Sequence, residues 1–377
     1  YSENGNDLGE GDSTYVTLTF SEKVWLSDGD LRTTLETGST VSDAVLTTTA
    51  FGDTNRVREN YIVAEGHLTN SLAARLVATT GDLRDIAGND ARLTPLPAQS
   101  SNIQVDGVFP VISRIIATTA TDTLGVGESA EITIEMSKKV TLSGDSLRVY
   151  LNSAAGRYFA IGGISSDSLL AGNYVVKALD ATLSLTVDSV VVVGANTLND
   201  AFGNNSVLTL PDGQNLANNA AIIVDGVAPA AFTVADVTVS GANESEGYYN
   251  STSNLVTVKV PIANDVSLGG GRVYIQGYFA SPAGLDTLGS SIAISSGDVG
   301  DSVIVNLSDT DIEAHGGFGD NKFLHLAAII KDRAGNSTTG TASADTFKVD
   351  TTAASISSIT YSENGNDLGE GDSTYVT

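Results

Sequence analysis

Oxygen-bearing side chains are the residues of this chain whose types and spacing could do chemistry. Asp85, Asp200 and Asp332 each open an Asp-x-x-Gly-Asn string (DIAGN at 85–89, DAFGN at 200–204, DRAGN at 332–336). Asp106, Asp225 and Asp350 each follow a valine at junctions roughly 120 residues apart, in VDGVFP, VDGVAP and VDTTAA. Further acids stand a short way into each stretch so defined: Glu10 and Asp12, then Glu128, then Glu244 or Glu246. Crowded carboxylates repel one another, and a hard divalent cation with six to eight oxygen ligands turns the crowding into attraction, so calcium is the ion such a set would hold. Asn89, Asn204 and Asn336 would complete the shell. The same residues also have a plainer reading, in which the Asp of each Asp-x-x-Gly-Asn bonds its own turn and the Asp after Val ends a strand.

Catalytic spacing is missing from the sequence, and no enzyme activity is expected. Gly144-Asp145-Ser146-Leu147 matches a string that carries a serine nucleophile in one hydrolase family, but here it falls in a turn between strand-like segments. The run from His315 to Gly319 has the look of an oxyanion-hole loop, without the Gly-x-Ser-x-Gly elbow that such a loop serves. His67, His315 and His325 have neither zinc nor triad spacing, and with no cysteine there is no thiolate ligand or nucleophile.

Composition excludes other partners. With 45 acids against 19 bases, a net charge of -26 and a pI near 4.2, the chain opposes phosphate backbones and anionic membranes. No apolar run approaches about 18 residues, so no membrane insertion is expected in this segment. The elements that must carry the acids are strands. Val16, Leu18 and Phe20 alternate with Tyr15, Thr17 and Thr19, and Ile132, Ile134 and Met136 alternate with Glu131, Thr133 and Glu135. Val, Ile, Thr and Ser dominate, Gly, Asn and Asp recur as turn residues, and no amphipathic helix stands out; residues 167–179 are the one place for a short helical turn. This patterning predicts an all-β chain of tandem immunoglobulin-like antiparallel β-sandwich domains in an extended array, without the Cys-Trp-Cys core of antibody domains.

The opening string YSENGNDLGEGDSTYVT at 1–17 recurs unchanged at 361–377, a period of 360 residues. Each period divides into sandwiches at 1–106, 107–225 and 226–350, with 351–377 starting the next copy. Residues 9–31 align with 125–147, whereas the third stretch departs there. The chain reads as an excerpt of something longer: it has no initiator methionine or leader and stops inside an alternating pattern. The pattern G-(D/E)-S-x-x-(V/I)-T-(L/I)-x-(F/M)-S-x-K-V, closing with D-x-x-G-N and V-D-G-V-x-P, resembles the bacterial immunoglobulin-like (Big-type, cadherin-like) repeats of giant secreted and surface-anchored proteins. The resemblance covers nearly the whole chain and implies calcium at domain junctions. In this topology the first turn faces the next domain and the Asp-x-x-Gly-Asn turn faces the previous one. Three sets then converge: Glu10, Asp12, Asp106 and Asp200; Glu128, Asp225 and Asp332; and Glu244 or Glu246 with Asp350 and the next copy's equivalent of Asp85.

The function expected is architectural. The segment would build an extracellular stalk, filament or surface layer, about 100 Å per period at 3.3 Å per strand residue, stiffened by calcium and associating with other copies of itself. The alternative is an adhesin module binding a surface glycan or host receptor, with Tyr248, Tyr249, Tyr274 and Tyr278 as the aromatic candidates. Five Asn-x-Ser/Thr strings, at Asn204, Asn243, Asn250, Asn306 and Asn336, are compatible with glycosylation.

Overall fold

The computed structural model describes residues 7–38, 41–99, 101–279, 285–360 and 370. The second copy of the opening string therefore lies outside the described residues apart from Glu370. The chain forms two compact units, Tyr1–Asp225 and Gly226–Thr377. It is all-β, built of tandem immunoglobulin-like sandwiches as the alternation predicts, with two short α-helices, Leu216–Asn219 and Asp309–Glu313, and one 3₁₀ turn, Val266–Leu268, among the described residues.

Within the first unit, residues 107–225 make the more regular sandwich. Strand Ser129–Ser143 turns Ala130, Ile132, Ile134 and Met136 inward because its apolar residues fall on alternate positions. It pairs antiparallel with Asp167–Val175 on one edge and with Ile112–Ala117 on the other. Residues 167–175 are thus a strand rather than a helical turn, since Leu170 and Tyr174 are needed on the buried face. A second layer of Tyr158–Ile161, Leu147–Leu151 and Val187–Val192 closes over one continuous core that includes Ile115, Ile132, Val149 and Leu185. The short helix buries Leu216 in the same core.

Residues 1–106 use the same elements differently. Strand Ser13–Glu36 is 24 residues long, far longer than the short strands read from the sequence, and its register against Val45–Ile62 shifts three times between Thr19 and Asp30. Such bulges bend a strand. Its second half carries Ala73–Thr79 and Leu83–Asp85 on the opposite edge from Val45–Ile62. The core divides accordingly, into one cluster around Leu35, Tyr61, Leu72 and Ile103 and another around Val24, Leu26, Leu31 and Val77.

The second unit, from Gly226 on, packs Val237–Gly241, Ser253–Pro261 and Ser302–Ser308 against a larger sheet centred on Arg272–Tyr278 and Phe323–Lys331. One feature recurs in all three sandwiches: a short early strand runs parallel to the last one. Asp7–Gly9 pairs with Gln104–Asp106, Thr121–Leu124 with Ala221–Asp225, and Tyr248–Asn250 with Phe347–Asp350. This pairing carries each junction aspartate to the end of its sandwich, beside the first turn.

Candidate functional site

The junction between residues 1–106 and 107–225 is built around the Asp200–Asn204 turn. The Asp200 carboxylate accepts the backbone N–H groups of Phe202 (2.9 Å) and Asn204 (3.0 Å) through Oδ1, and the Asn204 amide (2.9 Å) through Oδ2. Gly203 holds φ at +84°, a left-handed conformation that its missing Cβ makes cheap. The other two turns repeat the lock: Asn89 donates to Asp85 at 2.8 and 2.7 Å, and Asn336 to Asp332 at 2.9 and 2.9 Å. The Asn89 bonds, side chain before backbone, hold the Asp85 carboxyl below the ordinary carboxylate range.

The aspartate fixes the asparagine, and the asparagine joins the domains. Asn204 Nδ2 also donates to the Asp106 carbonyl at 2.7 Å, while its Oδ1 accepts the Glu10 backbone N–H at 2.7 Å. The backbones approach so closely that a Cβ on Gly9 would lie 2.1 Å from the Phe202 carbonyl oxygen. Asp106 and Asp200 lie on either side of one cation, and that cation belongs to the protein. Lys138 Nζ lies 2.6 Å from Asp106 Oδ1 and 3.2 Å from Asp200 Oδ2, and also donates to the Val108 carbonyl. The Lys138 side chain keeps 23% of its exposure and that of Asp200 only 4%. With this ammonium seated between the two carboxylates, the donor set at this junction does not fit an additional divalent ion.

The first-turn acids serve elsewhere. Asp12 Oδ2 accepts the Gly9 N–H at 2.9 Å and Glu128 Oε2 accepts the Gly125 N–H at 2.8 Å, so each carboxylate caps its own turn. The third sandwich does this with Ser253, whose hydroxyl accepts the Asn250 N–H at 3.0 Å, while Glu244 accepts from Gly241 at 3.3 Å and Glu246 is exposed. Glu10 contributes its backbone, not its exposed carboxylate. Asp225 and Asp350 end their strands, half-buried and exposed respectively, and Asp332 locks Asn336. Among the described residues no three His, Asp or Glu side chains gather as a metal site. Lys138 was missed by the sequence reading, although residues 9–31 and 125–147 align there. Its counterpart is Glu22, which lines a cleft of about 400 Å³ with Asp85, Asn89, Asp90 and Arg92.

Two further buried groups share one design. Tyr61 donates its hydroxyl to His67 Nδ1 (2.8 Å), which also accepts the Ala64 N–H at 3.1 Å. Tyr174 likewise donates to Asp180 Oδ2 (2.8 Å), which also accepts the Lys177 N–H at 2.9 Å. Asp180 is fully buried and bonded to Arg157 at 2.6 Å. Burial holds the His67 imidazole below the ordinary histidine range, an effect that Asp43 partly offsets, and burial pushes the Tyr61 and Tyr174 phenols up.

The remaining candidates resolve into structural parts. Ser146 stands at the end of the bend between Ser129–Ser143 and Leu147–Leu151. His315 accepts the Gly317 N–H at 2.8 Å and meets Phe279 edge-on, its Nε2 lying 3.3 Å from Asp286 Oδ2. His325 stacks on Tyr278 at 4.7 Å. Tyr249 is fully buried, which withdraws it from any sugar platform, and Tyr248 is exposed. Asn204 and Asn336 are buried and bonded, so neither glycosylation string presents a free amide. No helix among the described residues is long and apolar enough to cross a membrane.

No family profile matches the chain, and no curated protein matches it. Among solved structures it is similar to the FN1–FN3 domains of chicken CNTN1, with 15% identity over 91% of this chain and 96% of that one and a TM-score of 0.29. It is also similar to titin domains A168–A170, with 8% identity, coverage of 93% and 99% and a TM-score of 0.29. A third similar structure is dimeric latent PorU from Porphyromonas gingivalis, with 14% identity, coverage of 93% and 33% and a TM-score of 0.19.

Proposed function

We propose that this chain is a structural repeat segment of an extracellular, surface-associated protein, in which sandwiches joined end to end build a stalk, filament or surface layer. The observation that carries the reading is the junction itself. Asn204 bonds both the Asp106 carbonyl and the Glu10 N–H of the neighbouring sandwich, and Lys138 bridges the two carboxylates. Groups so placed resist bending at the linker, which a load-bearing array needs and a catalyst does not. The 360-residue repeat supplies the array, and the acidic surface keeps copies soluble.

Calcium belongs in this reading at the boundary between successive copies. There Asp350 of one copy would meet the Asp85–Asn89 turn of the next, with Glu22 at the position of Lys138. Three carboxylates outnumber the one arginine, Arg92, that lines the same cleft, and such a donor set fits a hard cation. Small-angle scattering of the full chain tests the junction: Lys138→Met combined with Asn204→Ala should broaden the distance distribution and lower the thermal midpoint of the Tyr1–Asp225 unit. An unchanged profile and midpoint would remove the basis for a stiffened array.

A further inference from the structure

Among the described residues, one edge of the first sandwich has no partner strand. The stretch 16–19 pairs with Val45–Ile62 on one side, while the strands on the opposite side, Leu83–Asp85 and Ala73–Thr79, begin only at Val24. Beside this edge runs an apolar groove of about 260 Å³, lined by Val16, Leu18, Phe20, Val77, Leu93 and Leu96. Leu18 and Phe20 are half-buried, whereas their counterparts in the second sandwich, Ile134 and Met136, are buried. Those counterparts are covered by strand Ile112–Ala117, in the register Thr133↔Ile116, Ile134↔Ile115, Glu135↔Arg114 and Met136↔Ile112.

The sequence holds a second version of that covering strand, at the other end of the chain. A constant offset of 244 residues aligns 105–129 with 349–373, matching Val105 and Asp106 with Val349 and Asp350, Ile112 with Ile356, Ser113 with Ser357, Ile115 with Ile359, and Leu124 with Leu368. Ile112 and Ile115 are 4% and 0% exposed, but Ile356 and Ile359 are 82% and 55% exposed, in a stretch that forms no strand. The charges agree with the match. In the second sandwich Arg114 pairs across the strands with Glu135 at 2.6 Å, and their counterparts are Ser358 and Thr19, so both charges are missing together and neither is stranded.

We propose that residues 351–360 are the first strand of the sandwich that follows them, and that the open groove on residues 1–106 is the seat for this strand from another copy of the sequence. The pairing is antiparallel, with Leu18 opposite Ile359, Thr19 opposite Ser358 and Phe20 opposite Ile356, so the edge of the sheet supplies hydrogen bonds and the groove takes the two isoleucines. In a tandem array the donor is the preceding copy, and between separate chains it is a second molecule. The cut at residue 350 then divides a sandwich that spans two copies, and each copy is tied to the next through a core as well as a linker. The inference rests on the tandem-repeat reading above.

The test uses the full chain with Ile356→Asp and Ile359→Asp, so that its own segment does not compete; both positions are exposed, so the changes leave the fold intact. A labelled synthetic peptide of residues 351–363 is titrated in, alongside the same peptide carrying the two aspartates. Saturable one-to-one binding is expected, at least about tenfold weaker for the aspartate peptide, because two buried isoleucines exceed the 1.4 kcal/mol that tenfold represents. Amide exchange at residues 16–20 should slow only with the unmodified peptide. No binding, or equal binding of both peptides, overturns strand donation. It would leave the stiffened junction standing, since that is judged separately by scattering on the Lys138 and Asn204 variant.

Discussion

Residues 1–106 and 107–225 follow the same sequence grammar, yet their cores differ. The second sandwich has its outer strand Ile112–Ala117 seated and one continuous core, while the first has, among the described residues, an unpaired edge over 16–20 and a core in two clusters. The second places Lys138 where the first has Glu22, and sets Asp180 under Tyr174 where the first sets His67 under Tyr61. What differs is where each sandwich finds its missing parts. Residues 107–225 have their outer strand seated and a lysine between their junction carboxylates, whereas residues 1–106 offer an open groove and a cleft where Glu22 and Asp85 share one arginine, Arg92, at the end where a preceding copy would dock.

The largest test of this contrast is at the matched isoleucines. Ile115→Ala removes a fully buried side chain and should cost about 2–5 kcal/mol, read by chemical denaturation of the second sandwich. Ile359→Ala in the same chain should leave that transition where it was. Equal effects at both positions would erase the distinction between a seated strand and an exposed one.

Removing the cation comes next. Lys138→Met leaves Asp106 and Asp200 facing each other and should destabilise by about 2 kcal/mol, less than the 3–5 typical of a fully buried pair because the lysine is partly exposed. The measurement is the thermal midpoint in chelator. Calcium that restores the lost midpoint would show that the ion can stand in for the ammonium, and high monovalent salt serves as the control.

Asn204→Ala should cost about 1–3 kcal/mol, since it strands the Glu10 N–H and the Asp106 carbonyl at the interface. Asn89→Ala, on an exposed turn that bonds to no second sandwich among the described residues, should cost less in the same denaturation assay. A ranking in the opposite order would mean that the turn lock, rather than the bridge, is what Asn204 supplies.

The smallest effect expected is on pH. Unfolded His67 takes up a proton near pH 6.5, whereas the folded imidazole, accepting bonds from Tyr61 and Ala64, resists it. Its folded value lies below the unfolded one, so the stability it adds is complete above about pH 6.5 and is lost as the pH falls below that. Protection factors around residues 61–67, exchange taken relative to the intrinsic rate at each pH, should fall between pH 7.5 and 5, while those of residues 174–180 hold. A fall in both together would point to a cause other than His67.

Much of the architecture was legible in order of sequence. Alternation at Val16, Leu18 and Phe20 and at Ile132, Ile134 and Met136 gives the strands, and the Val105-Asp106 and Asp200–Asn204 strings mark where the first two sandwiches meet. The length and bending of Ser13–Glu36 were not legible, because bulges leave no signature in an alternating pattern. The helix Leu216–Asn219 escaped notice because four residues show no period, and only the core position of Leu216 holds them.

The sequence by itself determined the fold class and the 360-residue repeat, because periodicity is a property of residue order. Tertiary structure decided what the acids do. Asp12 and Glu128 turn back onto their own backbones, Glu10 acts through its N–H, and Lys138 arrives from another strand to fill the space where calcium was expected. Each outcome depends on which donor lies within about 3 Å of a carboxylate, and residues far apart in order reach that distance only when the sheets are packed.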